Sequence, residues 1–243
     1  MSLTRLDKYL ADAGLGTRSE VKKYIKKGQV YVNQIPVTAP EKKIDTDSDE
    51  IIYQDQIIRI SAYDYFLLNK PAGYVSATKD NTAPTVLSLI PNGRKDLFPV
   101  GRLDKDTEGL LLITNDGALA HRLLSPKRHV NKTYYATIEG IVTTEDVKSF
   151  ERGLFIGDED LGEALPAQLS ILETEPFKNR STITVTIQEG KFHQVKRMFQ
   201  AVGKKVLTLK RIGFGPLTLP EDLPCGAYRQ LTPEELDLLK SCC

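Results

Sequence analysis

Apolar side chains recur at helical spacing over the first thirty residues and at strand spacing further on. Leu3, Leu6, Leu10 and Ala13 lie three or four residues apart and are followed by Gly14 and Gly16. This predicts a short amphipathic helix closed by glycine. Thr17 stands three residues before Glu20, the spacing of a capping box, so a second helix opens there and runs to Gly28 with Val21, Tyr24 and Ile25 on its apolar side. Val30–Val32 and Ile51–Tyr53 read as short strands, with a turn at Asn33-Gln34.

From about residue 62 the elements lengthen. Tyr65–Leu68 reads as a buried strand that stops at Asn69-Lys70-Pro71, because proline has no donor with which to continue a ladder. Phe98-Pro99-Val100 leads into a charged loop, and Leu110–Thr114 is a strand ended by the turn Asn115-Asp116-Gly117. Thr133–Ile138 and Thr182–Ile187 alternate as strands do, which puts Tyr134 and Tyr135 on opposite faces, with Tyr135 expected in the core. Helices are predicted over 117–124, 143–152, 192–202 and 232–240. In the third, Phe192, Val195, Met198 and Val202 form the buried side and Lys196 lies at its edge. Strands mixed with a few helices, without regular βαβ alternation, give an α+β class with a mostly antiparallel sheet. The change of texture divides the 243 residues into a small domain, 1–60, and a larger one, 61–243.

Charge adds a partner. The chain is almost neutral, yet its charges are segregated. Residues 1–30 hold seven basic and three acidic side chains, residues 41–64 three basic and seven acidic, and residues 185–215 seven basic and one acidic. Two separate basic zones suit a polyanion touched at two places, although a solvated surface would account for the charge equally well. In the second helix Arg18, Lys22 and Lys26 recur every fourth residue, and Lys23 and Lys27 widen the stripe. The longest aliphatic run, Leu110–Ile113, is far short of the ~20 apolar residues of a membrane span, and Arg5, Asp7 and Lys8 occupy the place of a signal core. A cytoplasmic protein is expected, and no long apolar stripe calls for an oligomer. Cys225, Cys242 and Cys243 have neither disulfide-framework nor zinc spacing.

The densest chemistry lies in Gly101-Arg102-Leu103-Asp104-Lys105-Asp106-Thr107-Glu108-Gly109, between two apolar strands. Asp104, Asp106 and Glu108 before Gly109 mimic the opening of a calcium loop, but Asn115 stands where a bidentate Glu is required. An Asp-x-Asp phosphotransferase would want Thr or Val at Glu108. A merely solvated loop is the third reading. Asp106 and Glu108 are expected to order the loop through backbone hydrogen bonds, and Gly101 and Gly109 to permit its tight path. His121 and His193 belong to no metal spacing.

Two resemblances narrow these choices. Arg5-Leu6-Asp7-Lys8-Tyr9-Leu10, Gly16-Thr17-Arg18-Ser19-Glu20-Val21 and Gly28-Gln29-Val30-Tyr31-Val32-Asn33 resemble the S4 RNA-binding domain. Asn69–Ser76, Val100–Gly117, Lys132-Thr133-Tyr134 and Glu189–Met198 are similar, in order, to the motifs of pseudouridine synthases, and most to the branch that carries an S4 domain and modifies ribosomal RNA. The resemblance implies an S4-like unit followed by a catalytic domain with a mixed, mostly antiparallel sheet flanked by helices. It implies an isomerase that converts a uridine of ribosomal RNA, 16S first and 23S as the alternative, with a non-catalytic rRNA-binding or ribosome-assembly protein as the rival. Partners would be ribosomal RNA or an assembly particle, not a membrane.

It also assigns roles. Asp104 is the essential carboxylate, which adds to the sugar C1′ or removes a C2′ proton. Lys196 is the cation beside it, because a carboxylate in a pocket that excludes water stays ionised only near a fixed positive charge. Tyr134 stacks on the target base and helps to deprotonate C5. Arg102 contacts RNA where the base has left its stack. Further RNA contacts are expected from Arg5, Arg18, Lys22, Lys23 and Lys26 in the first domain, and from Lys70, His193 and Arg197 in the second. Moving a base from N1 to C5 changes no oxidation state, so neither cofactor nor metal is expected.

Overall fold

The structure is a computed structural model that describes residues 3–46, 48–58, 63–91, 93–157 and 162–242. Two compact units emerge, Met1–Ala62 and Tyr63–Cys243. The boundary expected after residue 60 falls among residues 59–62, outside the described residues.

In the first unit the opening helix is shorter than its periodicity suggested. It spans Leu6–Asp12, while Leu3–Arg5 is extended and pairs antiparallel with Lys43–Asp45, leaving Leu3 exposed. Backbone pairing thus overrides the helical spacing of Leu3. The second helix, Arg18–Lys26, begins with the expected capping box: Glu20 N–H donates to Thr17 Oγ1 at 3.4 Å, and Thr17 N–H donates to Glu20 Oε2 at 2.8 Å. Leu6, Leu10, Val21 and Ile25 pack with Val30, Ile44 and Ile51 in one core. The strands order as Ile35–Val37, Val30–Val32, Ile51–Tyr53 and Gln56–Ile58. Asn33-Gln34 and Gln54-Asp55 turn their hairpins at positive φ, the requirement of a two-residue loop that follows the strand twist.

The second unit is built on a mixed sheet ordered Gln168–Glu175, Arg180–Ile187, Lys132–Glu139, Lys205–Phe214, Glu108–Thr114, Tyr65–Lys70, Tyr228–Gln230. These neighbours are antiparallel except where Lys205–Phe214 meets Glu108–Thr114, a short parallel pairing of Lys210 with Glu108 and Arg211 with Gly109. Alternation splits the apolar residues between two cores. Phe66, Leu68, Leu111, Ile113, Ala136 and Val185 face Phe150, Met198 and Phe199 of the helices Thr144–Arg152 and Gln194–Ala201. Tyr65, Leu67, Leu110 and Leu112 face Leu119, Leu123 and Leu239 of Gly117–Leu124 and Pro233–Ser241.

Two expectations change here. Tyr135, expected in the core, is exposed, because it alternates away from Tyr134 onto a face shared with the half-exposed Thr133, Thr137 and Thr184. Phe192, expected on the buried side of a helix, stands before it and is 62% exposed. The helix begins only at Gln194 because His193 takes a left-handed conformation, φ +51°, which a continuing helix forbids.

Candidate active site

The 101–109 loop is held from beneath by the segment that follows the Tyr65–Lys70 strand. Lys70 is fully buried, and its ammonium donates to the carbonyls of Pro71, Asp104, Lys105 and Thr107 at 3.1, 3.0, 3.3 and 2.7 Å. Gly73 N–H donates to Lys105 O at 2.7 Å, and Ser76 Oγ bonds both the carbonyl and the N–H of Leu103 at 2.9 and 3.0 Å. Lys70, Gly73 and Ser76 therefore grip the backbone on both sides of Asp104, which gives Asn69–Ser76 a physical purpose. Lys70 is not an RNA contact: a side chain closed in by four carbonyls has no surface to offer. Burial pulls its ammonium down to about 8, although Asp106, Asp104 and Glu108 oppose the fall. At the far end of the loop Gly109, φ +101°, lies against Arg211, where a Cβ would come 2.8 Å from the backbone nitrogen and closer still to the carbonyl oxygen.

Above this base the charged groups converge. Lys196 Nζ lies 3.1 Å from Asp104 Oδ2 and 2.7 Å from Asp106 Oδ1, so one ammonium serves two carboxylates. Burial favours the neutral lysine, but the two carboxylates outweigh it and raise Lys196 above its ordinary range. Asp106 feels the reverse balance: burial pushes it up, and Lys196 holds it below the usual carboxylate range. His193 Nε2 stands 3.6 Å from the other oxygen of Asp104.

Tyr134 forms one wall of the same cleft. It is nearly buried, lies across the ladder from Arg211, and shares the cleft with Arg102, Asp104, His193 and Lys196. With the space at its open mouth included, the cleft spans about 420 Å³. The structure therefore brings together five of the expected residues and places Lys70 behind them. Arg197, part-buried, donates to Ile156 O at 3.3 Å, with its guanidinium 5.8 Å from the Phe192 ring centre.

Sequence reasoning missed Arg211, which it counted with the surface cations. Its side chain is buried, donates from Nε to Leu110 O at 2.8 Å and lies over the Phe214 ring at 5.0 Å. Burial pulls it below the ordinary arginine value, and Tyr134 opposes that. Its Nη2 has no hydrogen-bond partner among the described residues. Inward alternation next to Leu209 was the signal, but bulges opposite Thr133-Tyr134 and Thr137-Ile138 obscure it.

In the first unit, Arg5, Arg18 and Lys22 gather around a single buried carboxylate. Arg5 forms two 3.0 Å hydrogen bonds with Asp7, and Arg18 and Lys22 approach it to 3.5 and 3.8 Å. Burial pushes Asp7 up, but Arg5 and Arg18 prevail and keep it below the usual carboxylate range. Lys23 and Lys26 point to solvent on the same helix.

A carboxylate fixed beside an ammonium and walled by an aromatic ring, in a chain whose first unit carries a basic helix, suits an enzyme acting on a nucleic acid. Comparison with known proteins gives the class its name. The RNA pseudouridylate synthase family model matches residues 64–201, and the S4 domain model matches residues 4–51. The chain is 44% identical to the uncharacterized RNA pseudouridine synthase YtzG of Bacillus subtilis, over 97% of this chain and 98% of that one. It is 39% identical to the ribosomal large subunit pseudouridine synthase B of Bacillus subtilis, covering 98% and 96%. It is 40% identical to the ribosomal small subunit pseudouridine synthase A of Vibrio cholerae, covering 96% and 97%. A crystal structure described as pseudouridylate synthase superposes with a TM-score of 0.67 at 38% identity, covering 97% of this chain and 99% of that one. The chain belongs to the RNA pseudouridylate synthase family, and it is an RNA pseudouridine synthase with an S4 domain in front.

Proposed function

We propose that the substrate is ribosomal RNA, 16S first, and that Asp104 is the carboxylate that rearranges one everted uridine. The observation that carries this reading is the convergence of Asp104, Lys196 and Tyr134 on one cleft, with Asp104 held by backbone contacts on both sides. A carboxylate in that position adds to C1′, or removes a proton from C2′, as the bond from C1′ to N1 breaks. Either way it stabilises the positive charge that develops at the anomeric carbon. The freed base turns and C5 bonds to C1′ as the bond from Asp104 to C1′ breaks or, on the other route, as Asp104 returns the proton to C2′; the C5 proton is then lost and N1 gains one, so atoms and electrons balance. Lys196 keeps the Asp104 carboxylate ionised, Tyr134 stacks on the base and takes part in removing the C5 proton, and Arg102 contacts RNA near the vacated base position. The exposed Lys23 and Lys26, with Arg5, Arg18 and Lys22, supply phosphate contacts.

The 16S reading is supported by the small subunit synthases among the relatives. A 23S reading has a specific observation of its own, the 39% identity to a large subunit synthase over nearly the whole chain. Purified protein incubated separately with unmodified 16S and 23S rRNA, followed by pseudouridine mapping, decides between them. One modified uridine in 16S supports the first, one in 23S the second, and none in either overturns the ribosomal assignment.

A further inference from the structure

Phe192 is an apolar side chain left 62% exposed at a cleft it shares with Arg102, Asp104 and His193. Its ring stacks on the His193 imidazole with centroids 3.8 Å apart and planes 20° apart, and His193 in turn stands 3.6 Å from Asp104. A line of groups therefore runs outward from the carboxylate through the imidazole to the phenyl ring.

The backbone fixes this arrangement. His193 takes φ +51°, an uncommon conformation for a residue with a Cβ and one that persists only where the surroundings hold it. Gln194 provides the hold: its Oε1 accepts from Lys191 N–H at 3.0 Å, and its Nε2 donates to Glu189 at 2.8 Å. Glu189 also accepts from Leu165 N–H at 2.8 Å, which ties the turn to a neighbouring segment. The Phe192 ring is thus held outward by a cross-braced turn.

We propose that Phe192 is a stacking platform for the RNA base next to the everted uridine. This rests on the reading of Asp104 as the reacting carboxylate. Everting one nucleotide strips its neighbour of a stacking partner, and an exposed aromatic ring with arginine nearby is how proteins receive an unstacked base. Arg197 lies with its guanidinium 5.8 Å over the ring and Lys191 lines the same cleft, which favours a polyanion over an apolar protein surface. A base stacked on Phe192 would be the next aromatic layer beyond His193, one step out from the cleft.

The test uses the absence of tryptophan from the chain. Phe192→Trp makes the only indole in the molecule, and its emission is read during titration with whichever of the 16S and 23S rRNA transcripts the wild type modifies. The double variant Phe192→Trp, Asp104→Asn is titrated in parallel, so that turnover does not obscure binding. Quenching that saturates with RNA is expected. In steady state, Phe192→Ala raises KM for RNA about 5- to 150-fold, the range corresponding to loss of one stacked base, while kcat stays within about threefold. Phe192→Tyr restores KM, and Phe192→Leu does not. An unchanged KM for Phe192→Ala, full rescue by Phe192→Leu, or unquenched indole emission at saturating RNA overturns the platform and leaves the role of Asp104 standing. Retained turnover in Asp104→Asn overturns both.

Discussion

Replacing Lys70 with Met removes the ammonium that joins four backbone carbonyls beneath the 101–109 loop. An ammonium has three protons, and hydrogen bonds to a charged group contribute about 1.5–3 kcal/mol each, so roughly 4.5–9 kcal/mol is at stake. Against this stands the cost of burying the charge. A fall from 10.5 to about 8 corresponds to about 3 kcal/mol at neutral pH. The balance favours lysine by roughly 1–6 kcal/mol, since methionine fills the volume and leaves the carbonyls without a donor. Because two of those carbonyls belong to Asp104 and Lys105, the Asp104 carboxylate loses its fixed place beside Lys196. A shift of about 1 Å is enough to cost on the order of 100-fold in rate.

Urea unfolding and single-turnover pseudouridine formation at saturating RNA measure the two effects. The midpoint should fall and the rate should drop on the order of 100-fold, while RNA affinity stays within about threefold. The pH response has opposite signs in the two assays. Above about 8 the folded lysine releases a proton that the unfolded chain keeps until 10.5, so the contribution of this site to stability rises with pH across that window. Turnover, which needs the ammonium, declines there. A Lys70→Met enzyme of normal stability and rate refutes the reasoning, as does one whose only defect is weaker RNA binding.

Three other perturbations bear on the account. Gly109→Ala drives a Cβ into the Arg211 backbone at positive φ and should destabilise the protein by about 2–6 kcal/mol in urea titration; a wild-type midpoint would show that the strands part freely. Lys196→Met should lower kcat at saturating RNA far more than it raises KM, with Lys196→Arg recovering most of the loss, and an inert Lys196→Met would remove the ion pair from the mechanism. Lys23→Gln with Lys26→Gln should reduce the slope of log affinity against log salt by about 0.9 for each phosphate that is no longer neutralised, and an unaltered slope would mean that this helix face does not meet the backbone of the RNA.

Much of the fold was legible in the sequence wherever a local signal and tertiary packing agreed. The capped helix at Thr17, the turn at Asn115-Asp116-Gly117 and the alternation of Thr182–Ile187 all lie where expected. Signals failed where a distant contact decided the matter. Leu3 follows a helical period but pairs with Asp45, and the strand Lys205–Phe214 hides its alternation behind two bulges. Within the site, Arg102, Asp104, Tyr134, His193 and Lys196 share one cleft, as their motifs suggested. Lys70, Arg211 and Phe192 ran against type: two cations inside and one phenyl ring outside. No periodicity announces a lysine that binds carbonyls from the far side of a loop. Likewise, a single left-handed residue at 193 is enough to turn an expected core phenylalanine out to solvent.

The most direct test of the central claim is pseudouridine formation by Asp104→Asn on the rRNA that the wild type modifies, measured alongside its affinity for that RNA. Turnover below detection with affinity within about threefold of wild type is the predicted result, because the proposal has the side chain act on the sugar while other residues hold the RNA. Turnover at a wild-type rate, or loss of activity explained entirely by loss of binding, would contradict it.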